Sequence, residues 1–529
     1  MPELATRTEF EAPTGGRPSP SRGERRTVGV NRSLLLLGAI TLAGAAIRFG
    51  SISQQSFWWD EVLTHSYLTH GLGHLFAVLP RTESNPPLYY VLLWFWSRAF
   101  GLSEAGLRSF SALCGTLTIP MMYVVGRRLF GERIGLSAAV LTAVNPFLFW
   151  YSQEARSYAL VVLLIVCSMY LLIDALERPS VRRLLAWGLV CALALCTHYF
   201  AGFVIAAEFA WLAIALYRRG RLTLARAALA GGPVIVCAAA LLPLLIRENH
   251  DGRASWIANQ GSIPWRLALA IGQNLLGGYQ PARIPIELGG AILAALAVGL
   301  LIGRSDLYVK RAVLLPLSVG AGAAMLALGA AALGQDYIDS RNLLPLWAPL
   351  ALVAAAGFGA RYARRVGALA LLGISGISIA CIVAVLVNPV FQRPDWRDAL
   401  HVLGPARTVR AIVAGDLSYY PATLYLPKIT IPSTQATISP EITLRVKGAI
   451  VGSVDLVFVQ NGLMGRGSEP LPGPRVAPPP PGFRFQRQIR TDHYVVVTYA
   501  APRPVWVRFR ALLALVPSRT SSGVMLQRP

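Results

Sequence analysis

The chain has 529 residues, 54% of them hydrophobic and only 14% charged, with a mean hydropathy of +0.51. A soluble chain carries about 25% charged residues, so this composition excludes an ordinary soluble domain and marks an integral membrane protein. Lys and Arg number 49 against 26 Asp and Glu, a formal +23. Much of that excess lies in short loops between apolar runs, where it sets membrane orientation, and we do not read it as a nucleic-acid interface.

Residues 1–32 are rich in Pro, Gly, Ser, Thr and Arg and read as a disordered cytoplasmic tail. Residues 33–49 form the first apolar run, taken as a span from inside to outside. A cleaved signal peptide is the rival reading, but no small-residue cleavage site follows. Next comes Phe57-Trp58-Trp59-Asp60-Glu61, two adjacent acids behind three aromatics at a membrane edge. Acids in that setting are costly to bury unless something uses them, whereas the aromatics alone also suit an interfacial anchor on a solvated loop.

Pro86 to Phe100 is apolar but shorter than the roughly 20 residues a crossing takes, so it reads as a membrane-edge or re-entrant helix. His65, His70 and His74 precede it at a spacing that fits an amphipathic surface helix better than a metal site. Basic loops at 126–128, 178–183, 218–221, 304–311 and 361–365 are expected on the cytoplasmic side. Spans consistent with them are 107–125, 134–150, 157–175, 183–198, 199–217, 223–246, 286–303, 311–333, 343–359 and 366–388, about eleven with the first. Residues 264–279 read as a second membrane-edge element. All six cysteines fall inside apolar runs and read as small buried hydrophobes, with no disulfide framework or zinc motif.

After Asn388 the pattern changes. Residues 389–500, within an extracytoplasmic unit expected over 389–529, are less apolar and proline-rich, with strand-like runs at 409–413, 454–459 and 493–498 and a short helix over 395–403. We expect a small α/β domain outside the membrane. Pro478 to Pro481 is a stiff connector, and 504–517, with Arg508 and Arg510, reads as an amphipathic helix on the membrane surface.

On this topology, polar residues gather at the outer span ends: Asp60 and Glu61; Glu104 and Arg108; Ser152 to Tyr158 with Gln153, Glu154 and Arg156; His198 and Tyr199; Arg247 to Trp256; and Asp336 to Arg341. Such a cavity suits an anionic lipid head and a polar acceptor, because a guanidinium fork pairs doubly with phosphate. A carboxylate such as Asp60 can take a proton from an acceptor hydroxyl attacking a sugar, while Arg156 or Arg341 stabilises the departing phosphate. Plainer readings stand beside these. Arg108 and Arg341 fit snorkelling interface arginines, Glu154 and Arg156 fit a local pair, and His198 fits a hydrogen-bonded structural residue.

The order Phe57-Trp58-Trp59-Asp60-Glu61, Asn85-Pro86-Pro87-Leu88-Tyr89-Tyr90, Gly126-Arg127-Arg128-Leu129-Phe130-Gly131 and Tyr151-Ser152-Gln153-Glu154-Ala155-Arg156-Ser157-Tyr158 resembles the GT-C glycosyltransferases, specifically bacterial enzymes like the dolichyl-phosphate-mannose-protein mannosyltransferases. The resemblance covers about residues 33–400 and includes Arg393-Pro394-Asp395-Trp396-Arg397. It implies a polytopic α-helical GT-C domain over 33–388 and a polyprenyl-phosphate-linked sugar as donor. It also implies inversion at the sugar carbon and a glycan, lipid or protein acceptor outside the plasma membrane. Asp60 and Glu61 are then catalytic, and Asn85, Tyr89, Arg108, Gln153, Glu154, Arg156, His198, Tyr199 and Arg341 bind substrate. Related lipid A aminoarabinose transferases carry Glu-Lys where this chain has Ser84-Asn85, with Glu83 one residue out of register. No cofactor is therefore assigned, a divalent metal stays an open possibility, and phosphate recognition falls to the arginines. A flippase for a lipid-linked sugar is the alternative, although no internal repeat favours it.

Overall fold

The computed structural model describes residues 32–252, 255–277, 283–415, 419–436, 447–460, 471, 478–516 and 521–529. The expected tail lies outside these except for Arg32. Helix α1 (Arg32–Gly50) is followed by three short helices, α2 (Trp59–Leu68), α3 (Leu72–Thr82) and α4 (Leu88–Phe100). The 27-residue α5 (Glu104–Phe130) starts where Ser103 accepts a hydrogen bond from the Gly106 N–H and stops at Gly131, whose φ of 95° favours glycine.

The single span expected over 134–150 is broken. Helices α6 (Glu132–Val144) and α7 (Pro146–Ser152) meet at 58°, because Pro146 has no N–H to continue the ladder and Asn145 caps α7 through Leu148 N at 2.9 Å. The break frees carbonyls inside an apolar bundle, where an unpaired one is expensive. Arg48 of α1, fully buried, donates to Thr142 O and Ala143 O, each at 2.9 Å, and to Ser152 Oγ at 3.2 Å. A buried arginine without an acid is thus accounted for by the end of a helix.

The bundle continues through α8 (Tyr158–Glu177), α9 (Val181–Leu195), α10 (Ala201–Arg218), α11 (Leu224–His250), α12 (Ser255–Ala258), α13 (Ile263–Leu276), α14 (Arg283–Arg304), α15 (Leu307–Ala312), α16 (Leu314–Ala332), α17 (Trp347–Phe358) and α18 (Arg364–Val387). Eight described helical segments are long and apolar enough to cross a membrane, or nine if α6 and α7 count as one. The other two segments expected to span, 183–198 and 343–359, contain α9 and α17 of 15 and 12 residues. Both fall short of the roughly 20 residues of a full crossing. Helices α5 and α8 are central, with 61% of their apolar windows buried against 11% for α1. Close approach depends on small residues: a Cβ on Gly357 of α17 would lie 2.0 Å from Ala297 O of α14.

Beyond α18 the chain folds as a six-stranded sheet flanked by three short helices. The strands are β1 (Arg410–Gly415), β2 (Ile429–Ala436), β3 (Gly448–Val459), β4 (Arg484–Arg490), β5 (Tyr494–Arg508) and β6 (Ser521–Gln527), in the order β2-β6-β1-β3-β5-β4. Among the described strands only β1 and β3 pair in parallel. Alternate residues face opposite sides. Ile412, Ala414, Val457 and Val496 pack on α19 (Trp396–His401) and α20 (Tyr419–Tyr425), while Ala411, Val413, Leu456 and Val497 pack on α21 (Phe509–Leu513).

The surface helix expected over 504–517 is not formed. Val505 and Val507 alternate and pair with Val451 and Ala449, so β5 runs on to Arg508. The short α21 then buries Phe509, Leu512 and Leu513 against the sheet. The period-two pattern of Val505-Trp506-Val507-Arg508 overrode the apolar count.

The sheet region is pinned to the helices beside α2. Phe57 N donates to Tyr425 Oη at 2.8 Å, Tyr425 Oη donates to Glu104 at 2.8 Å, and Arg397 reaches the same carboxylate at 3.2 Å. Ser56 bonds Pro394 O and Trp396 N at 2.7 and 3.0 Å. This fastening holds the Phe57–Glu61 segment against the bundle.

Candidate active site

Helix α2 puts Asp60 and Glu61 in its first turn, where the helix dipole favours carboxylates. Adjacent helical positions point to different sides, and the two acids meet different partners. Glu61 is fully buried and doubly paired with Arg108 at 2.6 and 2.7 Å, and its Oε1 also accepts the Ala155 N–H at 2.9 Å. Arg108 in turn donates to the carbonyls of Ile52, Gln55 and Ser56. Burial pushes the Glu61 carboxyl up, but Arg108 outweighs it and holds it below the ordinary range. The sequence reading expects Glu61 to be catalytic and Arg108 to bind substrate; in the structure the two are each other's partners. Glu61 and Arg108 form a saturated clamp joining α2, α5 and the turn before α8, and neither lines the cleft described below.

Asp60 faces the opposite way. Its Oδ2 lies 3.4 Å from Arg341 Nη1 and 4.0 Å from Arg156 Nε. Burial raises its pKa, with both guanidiniums pulling the other way. Arg156 comes from the Gln153–Ser157 turn between α7 and α8, and its terminal nitrogens grip Glu83 at 2.5 and 2.9 Å. Asn85 supports that carboxylate at 2.8 Å. Arg341 sits over the Trp256 ring at 4.9 Å and beside Asp339 at 3.4 Å.

Glu154 and Arg156 do not pair with each other. Glu154 Oε2 takes Arg393 Nη2 at 3.1 Å, and Arg393 stacks 4.1 Å over Trp150. Burial lifts the Glu154 carboxyl to about 7, with Arg393 opposing and Glu61 and Asp60 adding to the rise. His198 packs 5.7 Å from the Tyr158 ring, and its Nδ1 accepts the Phe200 N–H at 3.2 Å. Burial, then Arg156 and Arg341, push it down to about 3, so it is neutral and cannot serve as a cationic phosphate ligand.

Three other expected ligands sit in the framework. Gln153 bonds Arg48 O and Ser51 Oγ at 2.8 and 2.7 Å, Tyr89 bonds Ser111 at 2.8 Å while fully buried, and the Tyr199 hydroxyl faces Glu248.

An open cleft, about 490 Å³ when space continuous with solvent is included, is lined by Trp58, Trp150, Tyr151, Glu154, Gln260, Leu269, Gln273, Asp339, Ser340 and Arg341. Sequence reasoning did not assign Glu83, Arg393, Gln260 or Gln273 to the site. Arg393 was legible within its motif, and Gln273 interrupts an apolar helix; Glu83 was visible but set aside by register. Among the described residues no three His, Cys, Asp or Glu side chains converge as a ligand set. Asp60, Glu83 and Glu154 are each matched with a guanidinium, so the residues present do not fit the divalent metal left open by the sequence.

The family model described as dolichyl-phosphate-mannose-protein mannosyltransferase matches residues 84–246. No curated protein sequence matches the chain. Among solved structures, ArnT from Cupriavidus metallidurans in the apo state superposes with a TM-score of 0.51 at 12% identity, over 92% of this chain and 99% of that one. The fold is that of the GT-C glycosyltransferases. A second ArnT structure from the same organism, bound to undecaprenyl phosphate, gives a TM-score of 0.50 at 13% identity over 88% and 97% of the two chains. At 92% and 88% of this chain, the superposed part is too long to stop at the helical bundle and takes in some of the sheet region.

Proposed function

We propose that this GT-C chain transfers a monosaccharide, mannose in the first instance, from a polyprenyl phosphate to an extracytoplasmic glycan, lipid or protein acceptor. The observation that carries this reading is Asp60 held between Arg156 and Arg341 beside a polar, aromatic-lined cleft. The mannosyltransferase family model over 84–246 and the undecaprenyl phosphate bound by the ArnT neighbour support the donor class. The basic loops support a cytoplasmic N-terminus and an extracytoplasmic sheet domain over 389–529.

In the proposed step the acceptor hydroxyl gives its proton to Asp60 as its oxygen attacks the anomeric carbon. The bond from that carbon to the phosphate oxygen breaks, and the polyprenyl phosphate leaves with the electron pair, inverting the centre. Arg156 and Arg341 meet the phosphate as charge builds on it. The same two guanidiniums depress the basicity of Asp60 before donor arrives. Phosphate draws them away, so donor binding makes Asp60 a stronger base at the moment one is needed.

Arg341→Ala is expected to weaken binding of undecaprenyl phosphate about 10–100-fold, the scale of a lost hydrogen bond to a charged group. Arg341→Lys recovers part of this but not the planar fork. Titration of the purified protein in nanodiscs measures it, and an unchanged Kd in Arg341→Ala removes that residue from the phosphate site. The flippase alternative has no comparable supporting observation.

A further inference from the structure

Among the described residues, two residues that line the cleft each carry a buried polar atom without a hydrogen-bond partner, and the two atoms are of opposite kinds. Glu154 Oε1, on a side chain 1% exposed, accepts no hydrogen bond, because Arg393 takes only Oε2. Trp58 Nε1, on a side chain 3% exposed, donates none. Both residues line the same cleft, together with Trp150, Tyr151, Gln260 and Gln273. A buried acceptor and a buried donor left unsatisfied each cost free energy in the empty protein, which a matching ligand recovers.

The charges of the cleft, by contrast, are already matched. Glu154 stands against Arg393, and Arg341 stands against Asp339 and Asp60. What remains open is a dipolar donor, a dipolar acceptor, side-chain amides and aromatic faces. That set fits a ring whose hydroxyls both give and accept hydrogen bonds and whose C–H face lies on an aromatic. A sugar carrying an ammonium or carboxylate would bring an unmatched charge into the same space.

We propose that the cleft is the donor-sugar subsite, and that it selects a neutral polyhydroxylated ring. One ring hydroxyl donates to Glu154 Oε1, and another ring oxygen accepts from Trp58 Nε1. This rests on the lipid-linked donor reading above and adds to it the class of sugar and the two atoms that recognise it. Trp58 lies two residues before Asp60 in chain order, which couples ring placement to the base. The elevated proton affinity of Glu154 leaves its carboxyl able to accept from or donate to a hydroxyl near neutral pH.

The test compares two lipids on the full-length protein in nanodiscs: undecaprenyl-phosphate-mannose and sugar-free undecaprenyl phosphate. Trp58→Phe, which keeps an aromatic ring but loses the pyrrole half of the indole with its N–H, should weaken binding of the mannosyl lipid about 5–10-fold, and Glu154→Gln about 10-fold or more, with the sugar-free lipid unchanged. Equal weakening of both lipids in Trp58→Phe, or no change in either, overturns the subsite. Trp58→Phe decides the case because it breaks no ion pair, whereas Glu154→Gln also disturbs Arg393. Tighter binding of a lipid carrying an amino sugar than of the mannosyl lipid overturns the neutral-ring selection. Wild-type protein that binds neither lipid defeats the donor reading itself, a result distinct from variants that bind both alike.

Discussion

Asp60→Asn is expected to lower the transfer rate about 10²–10⁴-fold, the usual worth of a positioned general base. Donor affinity should stay level or tighten, because the substitution removes a negative charge 3.4 Å from Arg341 and 4.0 Å from Arg156 while keeping the side chain's size. A merely structural Asp60 would give the reverse, weaker donor binding along with the lost rate. The pH profile supplies a second readout. Burial raises the Asp60 pKa against the pull of Arg156 and Arg341, and the base works only when ionised, so activity falls as pH drops through that value. With the phosphate occupying both guanidiniums, the acid limb of kcat should lie at higher pH than that of kcat/KM, which reports the free enzyme. Stability runs the other way. A folded pKa above the unfolded one gives a contribution fully present below the unfolded pKa and lost as pH rises through the folded one. Coincident limbs for kcat and kcat/KM would contradict competition between Asp60 and the phosphate.

The second large effect is on stability. Arg108→Ala leaves Glu61 charged and buried with its main partner gone, and removing one member of such a pair costs about 3–5 kcal/mol. Glu61→Gln is milder in shape but strands the Arg108 charge. The double change Glu61→Leu with Arg108→Leu should be less destabilising than Arg108→Ala alone, since well-packed apolar replacements of a buried pair are often close to neutral. Thermal unfolding in detergent distinguishes these. If Arg108→Ala unfolds like wild type but loses donor binding, the clamp assignment fails and the sequence expectation of a ligand returns.

Much of the membrane architecture could be read in the sequence because hydropathy and basic loops report directly on it. The break at Asn145-Pro146 was equally visible, yet it was read through because an apolar count is blind to a missing N–H. Arg48 could not have been foreseen as a cap, since its partners Thr142 and Ala143 are carbonyls nearly a hundred residues away that exist only once the helix is broken. The site divided along the same line. The outer span ends named most of the residues that gather around Asp60, because polar groups in an apolar chain stand out. Pairing was invisible: sequence proximity suggested Glu154 with Arg156, whereas the fold gives Glu154 to Arg393 and Arg156 to Glu83. Adjacent Asp60 and Glu61 looked equivalent, and their different directions on α2 give Asp60 to Arg341 and Arg156 and Glu61 to Arg108.

The most direct test of the central claim is discharge of sugar from undecaprenyl-phosphate-mannose by the purified full-length protein with a membrane-derived acceptor fraction, followed as release of undecaprenyl phosphate and as the anomeric configuration of the product. The account predicts turnover with inversion by the wild type and its loss in Asp60→Asn, which still binds the donor. Product of retained configuration, or full turnover by Asp60→Asn, would contradict it.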